Sequence, residues 1–186
     1  MELLPAPGEW QESDYFLFSE RGRLVELSDG NIEVLDLPVY FHQLILLRLS
    51  FLLHAFVEAQ KLGRVCFAPL PVRLWPGKIR EPDLMFMAAA NAGRIGAYWG
   101  VPDLAVEILS PSTELKDRTT KRAEYAMAGV AEYWIVDPAA KSIEVLSGSC
   151  SGGTWQSAAT YLAPGQMISP LLPGLLVRLE DLFIAE

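Results

Sequence analysis

Apolar positions recur at two spacings along this 186-residue chain, and the change from one spacing to the other predicts the order of its elements. Leu24-Val25-Glu26-Leu27 and Ile32-Glu33-Val34-Leu35 alternate with period two, and Ser28-Asp29-Gly30-Asn31 lies between them. That is a hairpin signature, because Asp-Gly supplies the residues a tight turn requires. Ahead of it, residues 10–20 mix aromatics with acids and read as a short helix or an irregular lead-in. After Pro38 a helical pattern covers about residues 40–61 and stops at Gly63. Strand-like runs follow at 64–68, 72–75 and 82–87, punctuated by Pro69, Pro71 and Pro76-Gly77. Residues 88–100 are small and glycine-bearing, a loop or a short helical excursion. Leu104 to Leu109 is an apolar run broken by Glu107 alone, as expected of a central strand. Ser110-Pro111-Ser112-Thr113 reads as a turn and cap for a helix to about Ala128, with Gly129 as its stop. Strands at 132–136 and 142–146, a Ser/Gly loop at 147–153, a strand at 155–162 and the segment 166–179 complete the predicted sheet. The order predicts an α/β fold, a mixed sheet with helices on its faces, in one domain spanning residues 1–186.

Composition narrows the setting. An apolar fraction of 51% fits a globular protein. A formal net charge of −8 argues against a nonspecific nucleic-acid coat protein and mildly against DNA binding. It leaves a nuclease open, since an empty metal site is itself a cluster of negative charge. Cys66 and Cys150 form no disulfide framework or CxxC motif, and Met1-Glu2-Leu3-Leu4-Pro5 lacks a signal-peptide pattern, so a reducing, cytoplasmic setting is expected. The run Leu44 to Val57 is interrupted by Arg48 and His54 and is shorter than the ~20 residues of a membrane span. It reads as a buried helix with a share in a homodimer interface rather than a membrane segment.

Two carboxylates carry the chemistry. Asp83 follows Pro82 at a strand start, and Glu107 interrupts an apolar strand. Buried carboxylates need partners, because removing an ion from water is expensive. For Glu107 the choice lies between a basic partner (Arg80, Lys121 or Arg122) and a metal ion; Asp83 is either a strand-edge acid or a second metal ligand. At ~100° per residue, Asp117, Lys121 and Tyr125 fall within about 80° of one another on the following helix. Leu115, Thr119, Ala123, Ala126 and Met127 fall on a separate arc that reads as its apolar face. The same spacing also suits an ordinary Asp117–Lys121 ion pair. Two carboxylates and a lysine suit metal-dependent phosphodiester cleavage. Mg²⁺ takes oxygen ligands and keeps several waters, and a nearby ammonium stabilises developing charge. His42 reads as a packing or site-peripheral residue and His54 as structural or interfacial. Ser110 and Ser112 read as capping residues, Tyr133 and Trp134 as core. Arg73, Lys78 and Arg80 read as a solvated strand edge or a phosphate-facing strip.

Several segments together resemble the Uma-two endonuclease family of the PD-(D/E)XK restriction-endonuclease-like superfamily. They are Glu26-Leu27-Ser28-Asp29-Gly30, Glu81-Pro82-Asp83-Leu84, Pro102-Asp103-Leu104-Ala105-Val106-Glu107-Ile108-Leu109-Ser110-Pro111-Ser112, the spaced Asp117, Lys121 and Tyr125, and Gly129-Val130-Ala131-Glu132-Tyr133-Trp134-Ile135-Val136-Asp137-Pro138. The resemblance covers roughly residues 20–150. It implies a mixed sheet flanked by helices, DNA as substrate and Mg²⁺ (or Mn²⁺) as cofactor. The metal would be held by Asp83, Glu107 and the backbone carbonyl of Ile108. The E-x-K lysine position is Leu109 here, so the resemblance points to Lys121 as the migrated lysine, with Glu26, Asp117 and Tyr125 in support. A nuclease-like binding protein without catalysis, and a hydrolase of another phosphoester, are the rival expectations.

Overall fold

The computed structural model describes residues 4–20, 22–150 and 152–184, without the side chain of Cys150. The sequence readings on Met1-Glu2-Leu3, on Ser151 and on the Cys150 thiol lie outside the described residues. Helix α1 (Glu12–Ser19) leads into the hairpin of β1 (Val25–Ser28) and β2 (Asn31–Val34). Its turn places Asp29 at φ 51° and Gly30 at φ 74°, and the Gly30 carbonyl accepts from Gly8 N–H at 2.8 Å. A Cβ at Gly30 would lie 2.3 Å from the Gly8 oxygen, so this close approach requires glycine. The long helix α2 (Tyr40–Gln60) ends on a left-handed Lys61, two residues before the expected Gly63.

Strands β3 (Gly63–Phe67), β4 (Val72–Trp75), β5 (Lys78–Arg80), β6 (Leu84–Ala88) and β7 (Leu104–Ile108) follow, with a 3₁₀ helix at Ala89–Arg94. Then α3 (Glu114–Lys116), a π turn (Asp117–Lys121) and α4 (Arg122–Ala128) run on without a break. They cross over to β8 (Glu132–Asp137), β9 (Ser142–Cys150) and β10 (Thr154–Leu162). The main sheet has the order β10-β9-β8-β7-β6-β3, and only β7 and β8 are parallel. The crossover helix between them is what a parallel pair requires. A second, antiparallel sheet, β2-β1-β5-β4, stands beside it.

The fold class agrees with expectation, and four local features correct it. Strand β5 was not predicted, because Lys78 and Arg80 made it read as polar. The 82–87 strand begins at Leu84, leaving Pro82 and Asp83 just outside it. The expected loop over 147–153 is largely strand, since β9 runs to Cys150. The segment 166–179 does not join the main sheet. Its β11 (Gln166–Met167) and β12 (Val177–Arg178) pair only with each other and lead into α5 (Leu179–Leu182).

The two faces of the main sheet differ. On one, Ile45, Leu49, Leu53 and Val57 of α2 pack on Leu84, Phe86, Leu104, Val106 and Ile108. Each such buried aliphatic contributes roughly 1.5–3 kcal/mol. By length and composition α2 also passes for a membrane span, and its outer face leaves Leu47 and Phe51 exposed. On the other face, Met85, Ala105, Tyr133 and Ile135 meet Tyr125 of α4. Tyr133 and Trp134 are wholly buried, as expected of core residues.

Candidate active site

Strand register brings the two acids together. β6 and β7 pair Leu84 with Val106 and Met85 with Ala105. Continued by one residue, that register sets Asp83 opposite Glu107. Side chains alternate along a strand, so both acids share the face of Met85 and Ala105, the one beneath α4. The Ile108 N–H donates to Asp83 Oδ2 at 2.7 Å, and His42 Nε2 lies 3.2 Å from the same oxygen. The contact from Ile108 to Asp83 thus runs through its amide rather than its carbonyl.

Glu107 is buried at the end of β7 and accepts two bonds at Oε1: 2.8 Å from Lys121 Nζ and 2.6 Å from the Tyr125 hydroxyl. Its basic partner is Lys121; Arg80 and Arg122 bind elsewhere. Lys121 Nζ lies 3.3 Å from both Glu26 Oε1 and Asp117 Oδ1. Asp117 and Lys121 bracket the π turn, a rare element that tends to mark functional positions. The predicted helix face is corrected here. Leu115 and Met127 are exposed, while Asp117, Lys121, Glu124 and Tyr125 are buried. The charged edge faces the sheets because partners wait there. Glu124 was missed, although the same arithmetic puts it within about 20° of Asp117.

A second layer of charge stands behind Glu26. Arg80, fully buried, donates to Glu124 from Nε (2.8 Å) and Nη2 (2.9 Å), and from Nη1 to Glu26 (2.9 Å) and Glu33 (2.8 Å). Lys78 Nζ donates to Glu124 at 2.8 Å and Ser28 Oγ at 2.7 Å, and Lys116 pairs with Glu26 (2.6 Å) and with Glu33. Arg73 donates to Glu12 at 2.9 Å. Lys78 and Arg80 are therefore neither a solvated edge nor a phosphate-facing strip; they neutralise buried acids.

The electrostatics follow from this arrangement. Burial alone would raise the Glu26 carboxyl, but Lys121, Arg80 and Lys116 hold it well below the usual range. Burial pushes the Glu107 carboxyl up to about 8; Lys121 opposes this, and the nearby Asp117, Asp83 and Glu26 reinforce it. Asp117 is raised mainly by burial. Burial works against the charge on Lys121, yet Glu107, Glu26 and Asp117 keep the ammonium protonated far above its ordinary range. Both partners of the Glu107–Lys121 pair thus hold protons more tightly: Glu107 chiefly through burial, Lys121 through the three carboxylates of Glu107, Glu26 and Asp117.

That surplus suits a divalent cation. Asp117 Oδ1 is buried with the Lys121 ammonium 3.3 Å away and makes no well-aligned hydrogen bond. Among the described residues no group of three Asp, Glu, His or Cys side chains is placed to hold a metal ion. Mg²⁺ does not need one, since it is commonly held by one or two carboxylates and keeps its waters. The residues present fit such an ion. A cleft of about 410 Å³ opens onto His42, Asp83, Glu107, Ile108 and Lys121 between apolar walls that include Leu46 and Pro69. A larger cavity of about 900 Å³, beside Arg73, Trp75 and Tyr98, has no carboxylate in its lining.

The mixed sheet flanked by helices agrees with what comparison finds. The chain belongs to the Uma2 family, described as "Putative restriction endonuclease", which matches residues 10–180. Its structure is similar to the crystal structure of "a putative nuclease belonging to DUF820 from Anabaena variabilis ATCC 29413", with a TM-score of 0.76 and 19% identity over 93% of this chain and 97% of that one. At that identity the likeness speaks for the fold. Among curated proteins none matches the chain.

Proposed function

We propose that this protein is a metal-dependent endonuclease that hydrolyses phosphodiester bonds in DNA, with Asp83 and Glu107 as the ligands of Mg²⁺ (or Mn²⁺) and the Ile108 carbonyl beside them. The observation that carries the reading is the excess of buried carboxylates around Lys121, with Asp83 held opposite Glu107 by strand register. When bound, the ion lowers the pKa of a coordinated water and neutralises charge developing on the phosphate.

The chain's own residues supply the rest. Lys121 stays protonated and offers its ammonium to the attacking water or to the phosphoryl oxygens, where charge develops. Glu26 and Asp117 hold that ammonium at 3.3 Å each, so it would remain at the site with an ion bound to Glu107. Tyr125 donates to Glu107 Oε1 and fixes the carboxylate plane. The Ile108 N–H and His42 orient Asp83. Arg80 and Lys116 keep Glu26 ionised, which keeps Lys121 anchored. Lys121 thereby takes the role that Leu109, buried in the core, cannot perform.

The proposed working unit is one domain per chain, paired through the exposed Leu47 and Phe51 face of α2; a monomer in light scattering rejects the pairing. Incubation with supercoiled DNA and Mg²⁺ or Mn²⁺ tests the activity. Wild-type protein is expected to nick it and Glu107→Ala to lose that activity while keeping its fold. Equal cleavage by the two rejects the assignment, and an RNA arm of the same assay checks the choice of DNA.

A further inference from the structure

We infer that the cleft over Asp83 and Glu107 takes an unpaired strand, either single-stranded DNA or an opened stretch within a duplex, and holds it by its bases. The inference rests on the nuclease reading above. The reacting groups lie deep in the cleft. The side chains of Glu107 and Lys121 are each 5% exposed, so a phosphate must come down to them between the walls. The space available is about 410 Å³, within the range of small-molecule sites. It suits about one or two nucleotides and not the width of a duplex.

The lining carries the argument further. Leu37, Pro38, Val39, Leu46 and Pro69 form apolar walls, and Leu37 and Val39 stay 83% and 64% exposed at the mouth. Large apolar side chains left in water around one cleft mark a binding surface. Phe67, 59% exposed, adjoins Ala68 and Pro69 of the same wall and offers a ring on which a base can stack. Charge points the same way. Asp36, Glu81, Asp83 and Glu107 line the cleft, and Lys121 is the one lysine or arginine there among the described residues. Lys78 and Arg80 are taken up by Glu124, Glu26 and Glu33. A duplex brings one phosphate charge per about 1.7 Å of its axis and needs basic side chains to meet it. An unpaired strand brings fewer charges and exposes base faces, which stack on apolar and aromatic side chains whatever their sequence.

Fluorescence anisotropy of the wild-type chain with labelled oligonucleotides tests this. Ca²⁺ replaces Mg²⁺ in the measurement, since it takes the same oxygen ligands in looser geometry. A single strand is expected to bind at least about tenfold tighter than the blunt duplex of its sequence, and at least about tenfold tighter than an abasic strand of equal length. A smaller preference over either probe overturns the inference. Leu37→Ser combined with Phe67→Ala changes only exposed side chains and should weaken single-strand binding about tenfold. Unchanged affinity in that variant overturns the inference, and a fall in its light-scattering mass alongside assigns the patch to contacts between copies. Cleavage in Mg²⁺ separates this from the nuclease reading. A duplex with a central unpaired bubble is expected to be cut within the bubble. Cutting in its paired arms alone overturns the inference and keeps the nuclease. A single-strand preference without any cutting keeps the cleft as a single-strand site and removes the nuclease.

Discussion

Two buried glutamates sit at opposite ends of the one parallel strand pair, and they are built differently. Glu132 opens β8, opposite Leu104. Its Oε1 accepts from Trp134 Nε1 (2.5 Å) and Ser169 Oγ (2.6 Å), and its Oε2 from the Leu171 amide (2.8 Å). Every donor is neutral, and two come from the 169–171 segment, so this acid ties the C-terminal part of the chain to the sheet. Glu107, near the end of β7, meets a charged lysine and a tyrosine on one oxygen and is ringed by Asp83, Asp117 and Glu26. Burial raises the pKa of both. The direction of the shift therefore does not distinguish them; their partners do. An acid whose oxygens are met by fixed neutral donors is a structural tie. One that shares its donors with other acids has the charge surplus on which the proposed metal site rests.

The largest expected effect breaks this contrast at its functional end. Glu107→Gln should lower metal-dependent cleavage by at least about a thousandfold in a plasmid-nicking assay. Its melting temperature should be unchanged or higher, because one of the crowded charges is gone. The reverse pattern is expected for Glu132→Ala. It leaves three donors unmet and should cost roughly 3–5 kcal/mol in denaturant unfolding, with Mg²⁺ binding by the folded protein intact. Glu26→Gln is intermediate. It loosens Lys121 and should reduce kcat about tenfold with little change in KM, since it acts on an interaction made in the transition state.

The smallest effect is the pH dependence. Glu107 has a folded pKa of about 8 against an ordinary 4.5. An acid raised in the folded state favours folding below its unfolded value and withdraws that support as pH rises through the folded value. Metal-free protein should therefore lose stability between about pH 4.5 and 8, and added Mg²⁺ should restore it. Over the same window Mg²⁺ must displace a proton, so its affinity should rise with pH by up to about tenfold per unit and level off above about 8. Calorimetry in buffers of different ionisation enthalpy reads the released proton. Glu107→Gln should abolish that release and Glu132→Ala should not.

What the sequence revealed follows the same division. The apolar side was legible: the α2 stripe, the Asp29-Gly30 hairpin and the β7 run all show periodicities that burial imposes. The charged side was not. Lys78 and Arg80 made β5 look solvated, and Leu115 and Met127 drew the helix face to the wrong arc. Both errors have one cause. Hydrophobic pattern reports burial only where buried residues are apolar, and here Arg80, Lys78 and Lys121 are buried by pairing with Glu26, Glu33, Glu107 and Glu124. Asp83 and Glu107 were visible as acids out of place in strand-like runs. His42 was read as packing or site-peripheral, and its contact with Asp83, 41 residues away in sequence, could not be read from local pattern.

The central claim is that Asp83 and Glu107 share one divalent ion. Crystals soaked in Mn²⁺, with data collected for anomalous scattering, test it most directly. The account predicts a single strong peak about 2.2 Å from a carboxylate oxygen of each acid and near the Ile108 carbonyl, with Lys121 moved off Glu107 toward Glu26. A structure with no peak there, and with Lys121 still on Glu107, would contradict it.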